Sequence, residues 1–211
     1  YDDPSHVWVR GGYLNLAVTK LVDPAPCATP LGPLTPAYGG AVIHTKGTFS
    51  QTGGLFEARI KFGGGVGLHD DFWLWPENDY ANYPGHAEID IAEPYGAIPN
   101  SVPGATHVTN AAGADGGTVN WCSVPDWSGS FHTYGVSWSG GGTITFSVDG
   151  TTCFSFTNQS ALAGYPPTAP FDQPFFMILQ TLVDDGAFSP APNASTVFPA
   201  VTQVDWVRVW K

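Results

Sequence analysis

Basic residues are what this chain has least of. Seven Lys and Arg stand against eighteen Asp and Glu in 211 residues, a formal net charge of −11. Nucleic acid and anionic membranes are gripped by clustered basic side chains, so the balance argues against both as partners. Long apolar runs are also missing, and nothing approaches the roughly eighteen residues of a membrane-spanning helix. No signal-peptide pattern is visible at Tyr1, which fits a cytosolic protein and a processed one alike. Helical periodicity is absent; "SALAG" (160–164) reads as a turn of helix at most. The three cysteines, Cys27, Cys122 and Cys153, are too far apart to form a metal motif. A Cys122–Cys153 bridge and three free core thiols both fit their positions.

What the chain does have is aromatic residues and a period of two. Eight Trp, eight Tyr and thirteen Phe fit a neutral polar partner such as a sugar, and they equally fit the filling of a β core. "VWVR", "YLNLAV", "LFEARIKF", "YGVSW", "TITFSV", "FFMILQ" and "VTQVDWVRVW" are strand-length runs rich in β-branched and aromatic residues. Gly- and Pro-rich stretches punctuate them, and "SGGGT" (139–143) predicts a hairpin turn. Many short strands without βα alternation predict an all-β fold, a β-sandwich or jelly roll in a single domain.

One stretch breaks the alternation. "HAEIDIAEPYG" (86–96) carries Glu88, Asp90 and Glu93 within six positions of an apolar run. Like charges this close resist ionising together, so folding alone does not ask for them. On a regular strand Glu88 and Asp90 share a face, and the third acid arrives one residue late. A β-bulge near Ile91 and Ala92 would absorb that residue and turn Glu93 back beside the other two. Two carboxyls about 5–5.5 Å apart suit glycoside hydrolysis with retention, and a third acid between them can push their pKa values apart. A calcium site and a solvated polar face are the alternatives, the second opposed by Ile89 and Ile91.

"EIDIAE" resembles the bulged E-x-D-x-x-E signature of glycoside hydrolase family 16, as found in laminarinases, agarases and carrageenases. "AVIHTKGTFSQTGGLFEARIKF" (41–62), "FWLWPEN" (72–78), "FHTYGVSWSGGGTITFSVDG" (131–150), "DQPFFMILQ" (172–180) and "FPAVTQVDWVRVWK" (198–211) follow in the family's order. The resemblance implies a jelly-roll sandwich of two curved antiparallel sheets with a concave substrate cleft. It makes residues 1–211 one catalytic domain, its N-terminal strand absent from the chain. By position, Glu88 resembles the nucleophile, Glu93 the general acid/base and Asp90 the helper bonded to the nucleophile. His107 resembles the histidine on the neighbouring strand.

Trp73, Tyr83 and Gln180 match cleft positions, and Glu57 with Arg59 matches a pair that grips sugar hydroxyls; a same-face ion pair is the other reading of that pair. No cofactor is required for catalysis on this pattern. A structural calcium is implied at Asp205 and the Gly12 carbonyl, with a salt bridge at Asp205 as the alternative. The sequence departs from laminarinase-like members at "YPGHA", where Tyr83 replaces Trp, at "GLHDDFW", and at Gln180. The expected activity is endo-hydrolysis of β-1,3-glucan with retention, by a secreted monomer whose partner is the polysaccharide. The same mechanism on a galactan or mixed-linkage glucan, and a non-catalytic carbohydrate-binding module, are the alternatives.

Overall fold

Each strand-length run read from the sequence falls on a strand of the computed structural model, which describes residues 2–24, 26–29, 32–77, 87–109, 113–139, 142–159 and 165–211. In chain order these are β1 (Val7–Arg10), β2 (Tyr13–Lys20), β3 (Cys27–Thr29), β4 (Gly32–Leu34), β5 (Tyr38–Gly39) and β6 (Ala41–His44). Then come β7 (Gly54–Lys61), β8 (Leu68–Pro76), β9 (Ala87–Ala92), β10 (Ser101–Val108) and β11 (Thr118–Ser123). The series closes with β12 (His132–Trp138), β13 (Thr143–Val148), β14 (Thr151–Thr157), β15 (Phe175–Val183) and β16 (Ala200–Trp210). A short 3₁₀ turn at Pro4–His6 is the sole helical element among the described residues. The "SALAG" segment lies outside them. The hairpin expected around 139–143 is present as the antiparallel pair β12–β13, although residues 140–141 are not described.

Two antiparallel sheets carry the fold. One runs β1-β2-β16-β7-β12-β13-β14, with β5 on β2, and the other runs β11-β10-β9-β8-β15-β6. Alternation sorts the side chains between them. Phe56, Ala58 and Ile60 of β7 point inward from the first sheet, meeting Phe72 and Leu74 of β8 and Ile89 of β9 from the second, all fully buried. Phe56 stacks on Trp138 at 5.3 Å between centroids. Between β1 and β2, Gly11 and Gly12 both take positive φ, as a two-residue hairpin of the primed type requires. At one end of the sandwich Cys122 of β11 and Cys153 of β14 form a disulfide, clasping the terminal strands of the two sheets. Closing a loop of that span restricts the unfolded chain by about 3–4 kcal/mol on the chain-entropy estimate. Cys27 is a free thiol.

A single acid joins the two layers. Asp70 of β8 faces inward and is 3% exposed. Its Oδ2 accepts from the Thr202 hydroxyl of β16 and from the Gly63 amide, the latter at 3.0 Å. Burial, with some help from the Asp71 charge, pushes its carboxyl up to about 7 against the opposing hydrogen bonds. The unfolded chain ionises this group near 3.8, so between those values only the folded state holds the proton. Its contribution is full below about 4 and is lost as pH rises through about 7, at roughly 1.4 kcal/mol per pH unit. Chemical denaturation of Asp70→Asn between pH 4 and 7 should show a stability slope shallower by about one proton than the parent. Identical slopes would show that Asp70 is ionised in the fold.

Candidate active site

The register of β9 sets the site. On one side Glu88 and Asp90 lie opposite His107 and Ala105 of β10. On the other, Asp90 and Ile89 face Trp73 and Leu74 of β8, whereas Ala92 faces Phe72. The pairing shifts by one residue between Phe72 and Trp73, and Ile91 is the extra residue. Cross-strand partners share a face, so Ile89, Ile91 and Ala92 all enter the core, where none is more than 5% exposed. Asp90 and Glu93 turn the other way, with Glu88. The Glu93 amide donates to the Pro103 carbonyl at 3.0 Å, which anchors the strand beyond the bulge. The close approach here requires Gly104. A Cβ there would come within 2.8 Å of Phe146 from the other sheet and 3.2 Å of the Asp90 carbonyl.

Asp90 is the most buried of the three acids, 6% exposed. Burial first, then the charges of Glu88 and Glu93, push its carboxyl well above the usual range, and it shares a hydrogen bond with Glu88. In that bond Asp90, pushed toward its protonated form, is the donor and Glu88 the acceptor. His107 stands behind it, Nε2 at 3.5 Å from Asp90 Oδ2 and Nδ1 at 2.6 Å from Asp115 Oδ2. Amides of Gly117 and Val108 also donate to Asp115, and with His107 they hold its carboxyl below its ordinary value despite partial burial.

On the other flank lies a second cluster. His69 and Asp71 of β8 share the open face with Trp73. His69 Nε2 is 2.9 Å from Asp71 Oδ1 and 3.1 Å from Glu93 Oε1. The Tyr95 hydroxyl donates to the same Glu93 oxygen at 2.7 Å. Burial alone would lower the His69 pKa, but hydrogen bonds to Asp71 and Glu93 outweigh it and raise it to about 10. The imidazole is therefore a cation at neutral pH. Burial, with the Glu93 charge and hydrogen bond, pushes the Tyr95 phenol upward, so it stays a donor. These atoms of His69, Asp71 and Glu93 lie within 4.8 Å of one another, with His69 Nε2 hydrogen-bonded to Glu93 and Asp71 beside it as an ion-pair partner.

Other residues read from the sequence divide between the sheets. Trp73 lies opposite Asp90 on the open face, in edge contact with Trp75 at 5.9 Å. Gln180 of β15 lies opposite Asp71 on the same face. Tyr83 falls outside the described residues. Glu57 and Arg59 require correction. They share a face as expected, but β7 belongs to the opposite sheet, and the face they share is the outer one, away from the acids. Arg59 there pairs with Asp205 at 2.7 Å and lies over the Phe131 ring at 4.7 Å.

That pair bears on the calcium expected at Gly12 and Asp205, for which a salt bridge at Asp205 is the alternative. Asp205 is the extra residue of a register shift between Val204 and Trp206, so it leaves the apolar face and meets Arg59. Asp205 thus has the ion-pair partner of the alternative reading, and Gly12 takes positive φ in its turn. Both side chains are about a third exposed, so the pair contributes little. Chelator should leave the melting temperature unchanged. A calcium-dependent rise that Asp205→Ala abolishes would restore the ion.

Sequence reasoning did not assign roles to His69, Asp71, Tyr95, Asp115 or Trp121. The "GLHDDFW" departure and the Tyr two residues past Glu93 were the available signals. Asp115, in the turn of "AGADGG", offered none. Trp121 of β11 lies opposite Pro103, is 48% exposed and stands 6.1 Å from the Tyr95 ring, an aromatic wall at the edge of the acid cluster.

A sandwich with one sheet face given to a bulged cluster of acids and flanking aromatics defines a class of carbohydrate-directed β-sandwiches. The family model for the GH16 domain of β-porphyranases A–D matches residues 2–211. The chain is 34% identical over 184 residues to glucan endo-1,3-β-glucosidase A1 of Niallia circulans, covering 82% of this chain and 26% of that protein. It is 32% identical over 187 residues to a β-glucanase of Rhodothermus marinus, covering 82% and 63%. Among solved structures it is similar to the endo-β-1,3-glucanase of Pyrococcus furiosus, with a TM-score of 0.81 at 29% identity, covering 99% of this chain and 78% of that one. The laminarinase catalytic domain of Thermotoga maritima MSB8 gives 0.81 at 25% identity, covering 100% and 82%. The chain belongs to glycoside hydrolase family 16.

Proposed function

We propose that the protein is an endo-acting glycosidase that hydrolyses β-1,3-glucan with retention, by double displacement at Glu88 and Glu93. The observation that carries this reading is the one-residue bulge at Ile91, which turns Glu93 onto the face of Glu88 and Asp90. In the first step Glu88 attacks the anomeric carbon while Glu93 gives its proton to the departing glycosidic oxygen. In the second, Glu93 takes a proton from a water whose oxygen attacks the anomeric carbon, and the bond from that carbon to Glu88 breaks. Asp90, keeping its own proton, donates to Glu88 and steadies its charge, while His107 and Asp115 fix Asp90 from behind. Two carboxyls suffice for both steps, so no cofactor enters. One chain carries the whole cluster, consistent with a monomer, and the disulfide fits an oxidising, extracellular setting. Trp73 and Trp121 supply apolar faces against which sugar rings can pack.

The relatives named for β-1,3-glucan support the substrate. A galactan is the second reading, favoured by a match that spans 2–211 to a β-porphyranase family model. Reducing ends released from laminarin, lichenan, agarose and porphyran separate the two. On the substrate cleaved best, Glu88→Gln should abolish turnover. Glu93→Gln should lose about 10²–10⁴-fold there yet keep a rapid first step on a dinitrophenyl glycoside, which needs no protonation. Release from porphyran alone would replace the glucan reading, and release from none of the four would leave a carbohydrate-binding module. Equal losses on both substrates in Glu93→Gln would remove the acid/base assignment.

A further inference from the structure

Glu93 has two carboxyl oxygens, and their surroundings differ. Tyr95 and His69 both direct their donors at Oε1, at 2.7 and 3.1 Å. An oxygen already accepting two hydrogen bonds is a poor place for a proton of its own, because that proton would collide with the donors. Neither donor can withdraw. Tyr95 is tied to β8 through a backbone bridge to His69, and the two rings lie 4.4 Å apart. His69 also has Asp71 Oδ1 at 2.9 Å from the same Nε2, an ion pair that keeps the ring in place, and the residue is 9% exposed.

We propose that His69 and Tyr95 are positioning residues that saturate Oε1 of Glu93, so that the catalytic proton is carried on Oε2 and delivered from there. This rests on the assignment of Glu93 as the acid/base. The carboxyl groups of this cluster are Glu88 and Asp90 from β9 and Asp71 from β8, with Asp184, from the segment after β15, near Tyr95. His69 is the cation set among these acids, with His107 one residue further off behind Asp90. The pair therefore fixes which oxygen gives the proton in the first step and which takes one in the second.

The test compares Tyr95→Phe, which removes one donor, and His69→Gln, which keeps a donor but removes the charge. In each, the basic limb of kcat/KM should move to higher pH, by about one unit for the loss of one hydrogen bond to a charged oxygen. Turnover of the polysaccharide should fall on the order of tenfold, while the first step on the dinitrophenyl glycoside stays near the parent rate. In a Glu93→Gln background the same changes should add almost nothing, since groups that act through one residue are not additive. Melting curves check folding, and Tyr95→Phe, the more conservative change, carries the test if His69→Gln unfolds.

A basic limb that stays in place, or equal losses on both substrates, would overturn the inference and reduce His69 and Tyr95 to packing. Failure of the underlying reading is distinguishable. In that case Glu93→Gln itself loses its leaving-group dependence, whatever the other variants do.

Discussion

One extra residue in one strand governs this molecule. β9 is committed to the core along Ile89, and regular pairing straight through Ile91, without the bulge, would turn Ala92 outward and Glu93 inward. An unpaired carboxylate there would cost several kcal/mol, and the bulge removes that cost by giving the apolar pair Ile91–Ala92 to the core. The same shift delivers Glu93 to His69 and Tyr95 on the open face. Packing and chemistry are thus satisfied by a single irregularity, and β8 and β10 are built to fit it, with Gly104 supplying the clearance.

The second theme is how an acidic protein tolerates concentrated negative charge. Glu88, Asp90, Glu93, Asp71 and Asp70 lie on two adjacent strands or just past their ends, with few basic side chains available. The structure answers with protons. Asp70 and Asp90 are pushed toward their neutral forms by burial, and His69 is held charged between two acids. Each shift acts in the same sense on stability: the folded state keeps protons that the unfolded chain releases as pH rises. Arginine is used on the opposite sheet instead, where Arg59 and Arg208 lie over aromatic rings on the solvent side.

Much of this was legible in the residues, for identifiable reasons. Period-two runs found the strands because each sheet has one buried face. The late third acid in "EIDIAE" revealed the bulge because parity is strict and an exception is visible. Parity gives faces, however, and not sheet membership, which is why Glu57 and Arg59 were expected beside the sugar yet face outward from the other sheet. Asp205 is a different case: a second bulge, with no acid out of step to mark it, sets its face. His69 and Asp71 were visible as departures in "GLHDDFW", but their meeting with Glu93 depends on the β8–β9 register, which no local pattern encodes. Asp115 reaches His107 through a turn whose course only the folded chain reveals.

The proposed double displacement has Glu88 and Glu93 acting in succession on one face of the sheet. The configuration of the sugar at the moment of release tests that most directly, followed by proton nuclear magnetic resonance on the polysaccharide cleaved best. Double displacement predicts that the β-anomer of the new reducing end appears first and the α-anomer grows in only by mutarotation. An α-anomer as the first product would mean one displacement by water, and would contradict the roles assigned to both glutamates.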